Sequence, residues 1–337
     1  MPYQVTLQPS GHTFNVAADT AILDAALDAG FNLPYGCKDG ACGTCKGKVL
    51  SGQVDLGTAQ DEALSAAERA AGMALFCCAR PLSDLSIEVR EIDAVRDIPV
   101  RTLPCRVQKL QKLADDVMAI SLKLPANERL QFLAGQYIEF LLKDGKRRAF
   151  SLASPPHADE FLEIHVRRVP GGNFTDHVFT QMKERDIMRI EGPLGSFFLR
   201  ENSSKPIILL AGGTGIAPIK GLIEHALHIG IKRPIQLYYG AKDRAGLYLN
   251  GLAEQWAAAH PHITYIPVLS EPAADDAWTG RTGLVHEAVL ADHADLSAWQ
   301  VYACGAPAMC EAAKGDFTAR GLPPEEFFAD VFSFAPR

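Results

Sequence analysis

The sequence predicts an α+β multidomain chain, because its pattern changes twice along 337 residues and so divides it into three segments. Over roughly residues 1–93 a hairpin, a helix, a cysteine-rich loop and further strands follow one another. Over roughly 101–200 short strands succeed each other with turn residues between them. From roughly 204 to 337 strands alternate with helices, which predicts a parallel, doubly wound sheet.

In the first segment "YQVTLQ" and "HTFNV" alternate in polarity and read as two strands around "PSG". "DTAILDAALDAG" reads as a helix, with Asp19 as N-cap and Gly30 as stop. After the cysteine loop, "KGKVLSG" and "DLSIEVRE" read as further strands, so a small mixed sheet crossed by one helix is expected. "IDAVRDIPVRTLP" (92–104) mixes prolines and charges and reads as a linker. The second segment offers the strands "CRVQKLQKL", "VMAISLKL", "QYIEFLLK", "RRAFSLAS", "FLEIHVRRV" and "DIMRIEGPLG", with one helix, "TDHVFTQMK". Such spacing predicts an antiparallel β-barrel. In the third, "PIILLAGG", "PIQLYYG", "ITYIPVLS" and "WQVYACG" read as strands, each followed by a helical stretch.

Composition is 47% hydrophobic and 22% charged, as in soluble globular proteins. The N-terminus lacks a signal-peptide pattern, and "PIILLAGG" is too short to span a membrane. A cytoplasmic protein without membrane insertion is expected. Thiols stay reduced in that compartment, so clustered cysteines read as a metal site rather than as disulfides. The net charge is −7, and residues 1–95 hold 12 Asp/Glu against 6 Lys/Arg. Nucleic acid is therefore not an expected partner. The acidic surplus is either a solvated face or a docking face for a basic protein.

"GCKDGACGTC" spaces Cys37, Cys42 and Cys45 as C-x4-C-x2-C, the plant-type spacing for a [2Fe–2S] cluster. Such a cluster needs a fourth thiolate, and "LFCCARPLSDL" offers Cys77 and Cys78. Gly36, Gly40, Ala41 and Gly43 let the loop backbone approach the sulfurs. The competing reading is a four-thiolate zinc site, although zinc ribbons usually carry two C-x2-C pairs and this loop has one.

This segment resembles a plant-type ferredoxin domain, which implies a β-grasp fold. The ferredoxin domains of bacterial oxygenase reductases often end in a "CQARP"-like stretch. That resemblance implies Cys77 as fourth ligand and puts Cys78 in the glutamine's place, a departure from the pattern.

In the second segment Arg148, Phe150 and Ser151 fit the R-x-[YF]-S pattern of the ferredoxin–NADP reductase superfamily. There an arginine holds phosphate, an aromatic ring lies against the flavin, and a serine hydroxyl meets its reactive edge. Gly172 and Thr175 fit the G-x-x-[ST] pattern that receives the flavin pyrophosphate at a helix start near Thr175. Thr175 also reads simply as an N-cap. The resemblance implies FAD.

In the third segment Gly212, Gly213, Thr214, Gly215 and Pro218 resemble the superfamily's pyrophosphate loop. Cys304, Gly305, Pro307 and Met309 resemble its C-G-x-P-x-M stretch facing the nicotinamide. Ser151 and Cys304 are the expected catalytic residues, whereas Cys105 and Cys310 read as inert core. Asp243 beside Lys242 and Arg244 favours NADH over NADPH, since a carboxylate repels a 2′-phosphate and can accept from a ribose hydroxyl. Phe332 or Phe334 in the aromatic tail approaches the flavin or packs in the core.

The order of segments resembles the reductase components of bacterial oxygenases and CDP-6-deoxy-Δ3,4-glucoseen reductase-type proteins over the whole chain. That implies a path from NADH to FAD to a [2Fe–2S] cluster and on to a partner protein, a sugar dehydrase or an oxygenase component. A flavin is required between an obligate two-electron donor and a one-electron cluster. The alternatives are an NAD(P)H-flavin or quinone reductase with an accessory ferredoxin domain, and a non-enzymatic redox sensor.

Overall fold

The computed structural model describes residues 2–274 and 277–332. The chain divides into two compact units, one built on residues 2–99 and the other on residues 100–332.

The first unit runs β1 (Tyr3–Gln8), β2 (Thr13–Val16), α1 (Ile22–Asp28), β3 (Lys46–Ser51), β4 (Val54–Asp55), α2 (Ala66–Ala70), β5 (Met73–Leu75), β6 (Arg80–Pro81) and β7 (Leu85–Glu88). Its main sheet has the order β2-β1-β7-β3-β5, and β1 and β7 are parallel. Mixed pairing around one crossing helix gives the β-grasp arrangement. Strand β1 buries Val5 and Leu7 and turns its alternate residues outward, as a half-buried strand does. Helix α1 lays Ile22, Leu23 and Ala26 on the same core.

The expected Asp19 cap does not form. The helix starts at Ile22 with Ala21 as cap and no side-chain cap bond. Its first donors are satisfied from afar: the Ile22 and Leu23 N–H groups donate to the carbonyls of Ala79 and Phe76. The segment that carries Cys77 is thereby tied to the helix start. The expected linker is also shorter than 92–104. A 3-10 turn spans Asp93–Val95, and the last four residues, Arg101 to Pro104, already belong to the next strand.

The second unit begins with β8 (Arg101–Ala114), β9 (Val117–Lys123), β10 (Tyr137–Leu141), β11 (Arg147–Ser151), β12 (Leu162–Arg167), α3 (Asn173–Thr180) and β13 (Ile187–Leu194). The strands are antiparallel in the order β11-β10-β13-β8-β9-β12. A bridge between Leu152 and Ile164 joins the last strand back to the first and closes the barrel. Helix α3 buries Phe174 and Val178 in the barrel core. It starts at Asn173, with Gly172 as N-cap, so Thr175 is not the cap. The Thr175 hydroxyl folds back on the preceding loop instead, within 3.2 Å of the carbonyls of Val169 and Gly172.

The remainder runs β14 (Ile207–Gly212), α4 (Ile216–His228), β15 (Ile235–Ala241), α5 (Asn250–Ala259), β16 (Ile263–Leu269), β17 (Arg281–Thr282), α6 (Val285–Asp292), β18 (Gln300–Gly305), α7 (Pro307–Ala319) and β19 (Phe327–Val331). All strands are parallel in the order β17-β16-β15-β14-β18-β19. Alternate residues of β14 enter opposite layers: Ile207 and Leu209 pack with α4, Ile208 and Leu210 with α7. The strand order reverses between β14 and β18, so their carboxyl ends open the crevice where such sheets bind ligands. Strand β19, unread in the aromatic tail, pairs along β18 with Cys304 opposite Asp330.

A polar clamp joins the barrel to α4. Lys220 lies 3.0 Å from Glu224 and 3.4 Å from Glu163. His165 bridges Glu163 (3.0 Å) and the Tyr248 hydroxyl (2.9 Å). Burial pushes the Glu163 carboxyl up, but the His165 hydrogen bond and the Lys220 charge outweigh it and hold it at about 2. A depressed carboxylate contributes stability that is present above its ordinary 4.5 and lost as pH falls toward 2. Glu163→Gln is expected to destabilise the chain at pH 7 by on the order of 2 kcal/mol. The gap between the melting curves of the two proteins should close as pH falls from 4.5 toward 2; a gap independent of pH contradicts this reading.

Candidate redox site

In the first unit the cysteine loop folds so that Cys37 and Cys42 face one another. Each backbone N–H donates to the other's sulfur at 3.3 Å. The hydrogen bond from Cys37 draws the Cys42 thiol down to about 6, and the same contact pushes Cys37 up. Cys45 and Cys77 form a second thiol–thiol pair, and that contact raises Cys77. Cys78 instead sits against Cys77 (3.6 Å) and the Thr58 hydroxyl (3.7 Å). Gly40, with φ +80°, leaves room for this packing, since a Cβ there would lie 2.7 Å from the Cys78 sulfur. Two pairs suit a two-iron cluster, which takes two thiolates per iron.

In the second unit the ends of β11, β18 and β19 meet. The Ser151 hydroxyl donates to Asp330 Oδ2 at 2.5 Å, and the Cys304 thiol approaches the same oxygen at 3.7 Å. Cys304 is wholly buried, and that burial, with the Asp330 charge, keeps the thiol protonated. A buried, protonated thiol is a poor nucleophile. Asp330 joins the two expected catalytic residues, and sequence reading missed it. The signal available was one acidic residue inside the apolar run "FFADVF". The Phe332 amide donates to the Gly305 carbonyl at 2.9 Å, beside this cluster. Phe334 lies outside the described residues.

The glycine-rich turn Gly213–Gly215 leads from β14 into α4, whose first turn holds Pro218. A Cβ on Gly215 would lie 1.9 Å from the Cys304 carbonyl oxygen. Met309 packs under the turn, where a Cβ on Gly212 or Gly305 would meet it at 2.6 or 2.9 Å. Pro307 opens α7, where its missing N–H costs nothing. Beside the turn lies a second residue that sequence reading missed. The Arg167 guanidinium stands 3.6 Å from where a Gly213 Cβ would be. Its Nε and Nη2 are buried without a partner among the described residues, while Nη1 lies 3.4 Å from Asp116. Buried, unpaired donors at a helix N-terminus form a receptor for an anion.

The other expected residues make contacts of their own. Phe150 packs its ring against Phe140 and Phe174 on the barrel. Arg148 donates to the Arg147 carbonyl. Gly172 and Thr175 form the entry to α3. Asp243 spends one carboxylate oxygen on the Gly246 N–H (2.9 Å), and Lys242 pairs with Glu271 at 3.1 Å. Cys105 and Cys310 are buried in the two cores, as expected.

Three family descriptions match the chain in sequence. They are the 2Fe-2S iron-sulfur cluster binding domain over residues 5–82, the oxidoreductase FAD-binding domain over 104–199 and the oxidoreductase NAD-binding domain over 209–315. The CDP-6-deoxy-L-threo-D-glycero-4-hexulose-3-dehydrase reductase of Yersinia pestis is 41% identical over 98% of this chain and 99% of its own. The chain belongs to the iron–sulfur flavoprotein reductases. The DmpP reductase component of phenol 2-monooxygenase from Pseudomonas sp. is 40% identical, covering 98% of this chain and 95% of its own. Among solved structures, the Amycolatopsis cytochrome P450 reductase GcoB is 36% identical with a TM-score of 0.78, covering 98% of both chains.

This reductase is an NAD(P)H-dependent oxidoreductase that uses a [2Fe–2S] cluster, FAD and NAD(H). The residues present fit two of these groups: paired thiols for the cluster, and unpaired Arg167 donors beside a close-packed glycine turn for a pyrophosphate. When bound, the nicotinamide supplies a hydride, the flavin accepts it and releases electrons singly, and the cluster carries them one at a time. Electrons then leave for an acceptor protein.

Proposed function

We propose that this reductase serves a nucleotide-sugar dehydrase, with an oxygenase component as the second candidate acceptor. The observation that carries the reading is the end-to-end match to the Yersinia pestis dehydrase reductase. Cys37, Cys42, Cys45 and Cys77 hold the cluster, and the pairing of Cys77 with Cys45 favours it over Cys78 as fourth ligand. Arg148, Phe150, Ser151, Gly172 and Thr175 hold the flavin. Gly212–Gly215, Pro218, Gly305, Pro307 and Met309 shape the nicotinamide nucleotide site, where Arg167 receives the pyrophosphate. Ser151, Asp330 and Cys304 form one hydrogen-bonded unit where a proton is held beside the reacting atoms.

The acidic ferredoxin segment is the docking face for the acceptor, and the cytoplasm is the site of action. No described helix is long and apolar enough to cross a membrane. NADH is preferred, because Glu271 neutralises Lys242 and Asp243 adds a carboxylate where a 2′-phosphate would need free cations.

Arg167→Ala is expected to raise KM for NADH about tenfold with little change in kcat, as loss of a phosphate contact does. Arg167→Lys should recover part of it. Steady-state ferricyanide reduction checks this, and an unchanged KM removes Arg167 from the site. The acceptor is tested by mixing the NADH-supplied reductase with a CDP-hexulose dehydrase and with an oxygenase component. Turnover with the dehydrase that weakens with salt supports the reading. Turnover with free flavin alone contradicts it.

A further inference from the structure

We infer that Cys78 tunes the iron–sulfur centre by donating its S–H to the sulfur of Cys77. The inference rests on Cys77 being the fourth ligand. The two sulfurs lie 3.6 Å apart, a contact in which either thiol can donate. A ligating cysteine is a thiolate and has no proton to give, so cluster binding leaves Cys78 as the donor. Behind it, the Thr58 hydroxyl points at the Cys78 sulfur at 3.7 Å. Thr58, Cys78 and Cys77 thus form a chain of donors ending on the ligand, and such chains strengthen each link.

The place of Cys78 is built rather than incidental. Two glycines with positive φ border it, Gly40 at +80° and Gly57 at +60°. A Cβ on Gly40 would lie 2.7 Å from its sulfur, and one on Gly57 would lie 2.5 Å from its carbonyl oxygen. The Cys78 N–H is already spent on the Leu75 carbonyl at 3.0 Å. Only the side chain is available to the ligand.

Reduction adds negative charge to the cluster and its sulfurs. A donor on a ligand sulfur stabilises the reduced form and raises the potential. The test is an EPR-monitored redox titration of the holoenzyme and its Cys78→Ala, Cys78→Ser and Thr58→Val variants. Cys78→Ala is expected to shift the reduction equilibrium toward the oxidised form by roughly three- to tenfold, where tenfold is about 59 mV for one electron. Cys78→Ser, which keeps a donor, should shift it less, and Thr58→Val should shift it in the same direction as Cys78→Ala. A potential unchanged in Cys78→Ala with the cluster intact overturns the inference. Loss of the cluster in Cys78→Ala and its retention in Cys77→Ser would instead overturn the ligand assignment, and the inference with it.

Discussion

Cys77→Ser is expected to abolish the one-electron function while sparing hydride uptake. NADH-dependent cytochrome c reduction should fall by on the order of a hundredfold or more, because the ligand set loses one thiolate of the Cys45–Cys77 pair. Ferricyanide reduction should stay within about twofold, because Ser151, Cys304, Asp330 and the glycine turn all lie in residues 100–332. The effect is specific because the Cys77 segment is fixed from both sides. The Phe76 N–H donates to the Cys45 carbonyl, and the carbonyls of Phe76 and Ala79 hold the start of α1. Parallel spectra of Cys78→Ser complete the comparison. If that variant loses the cluster and Cys77→Ser keeps it, the pairing of thiols described above is wrong.

Gly215→Ala is expected to be the most damaging single methyl group in the nucleotide site. The new Cβ would lie 1.9 Å from the Cys304 carbonyl oxygen and 2.5 Å from its carbon, both backbone atoms of a buried strand. Neither can swing aside as a side-chain tip would. The turn must lift from β18, which costs about 2–4 kcal/mol and misplaces the amides that would face a pyrophosphate. A lowered melting temperature and a raised KM for NADH should appear together. Gly213→Ala is the control. Its φ of +55° strains any side chain, yet the nearest atom lies 3.6 Å away, so about 1 kcal/mol is expected. Equal stability of the two variants would show that close approach to β18 is not what the turn requires.

Much of this was legible in the sequence because the signals are local. The C-x4-C-x2-C spacing and the strand–turn–helix around Gly212–Gly215 each lie within a few residues; the fold brings Cys37 and Cys42 together and sets the glycine turn between β14 and α4. What was not legible depends on distant pairing. Asp330 stands opposite Cys304 only because β19 pairs along β18, and nothing near Asp330 in sequence announces that register. Arg167 gains meaning from Gly213, which is brought to it by the packing of barrel against sheet. The Asp19 cap failed for the same reason, since carbonyls from the Phe76–Ala79 segment satisfied the helix first. Thr175 reads as a pyrophosphate contact and also as a cap; Gly172 takes the cap position, and the Thr175 hydroxyl lies against the carbonyls of Val169 and Gly172.

The most direct test of the account is an anaerobic NADH titration of the purified protein, followed by absorbance and low-temperature EPR. Bleaching of the flavin together with a rhombic [2Fe–2S] signal is the predicted result, since it shows a hydride from NADH arriving as single electrons on the cluster. Flavin bleaching without an iron signal, with zinc in the elemental analysis, would contradict it.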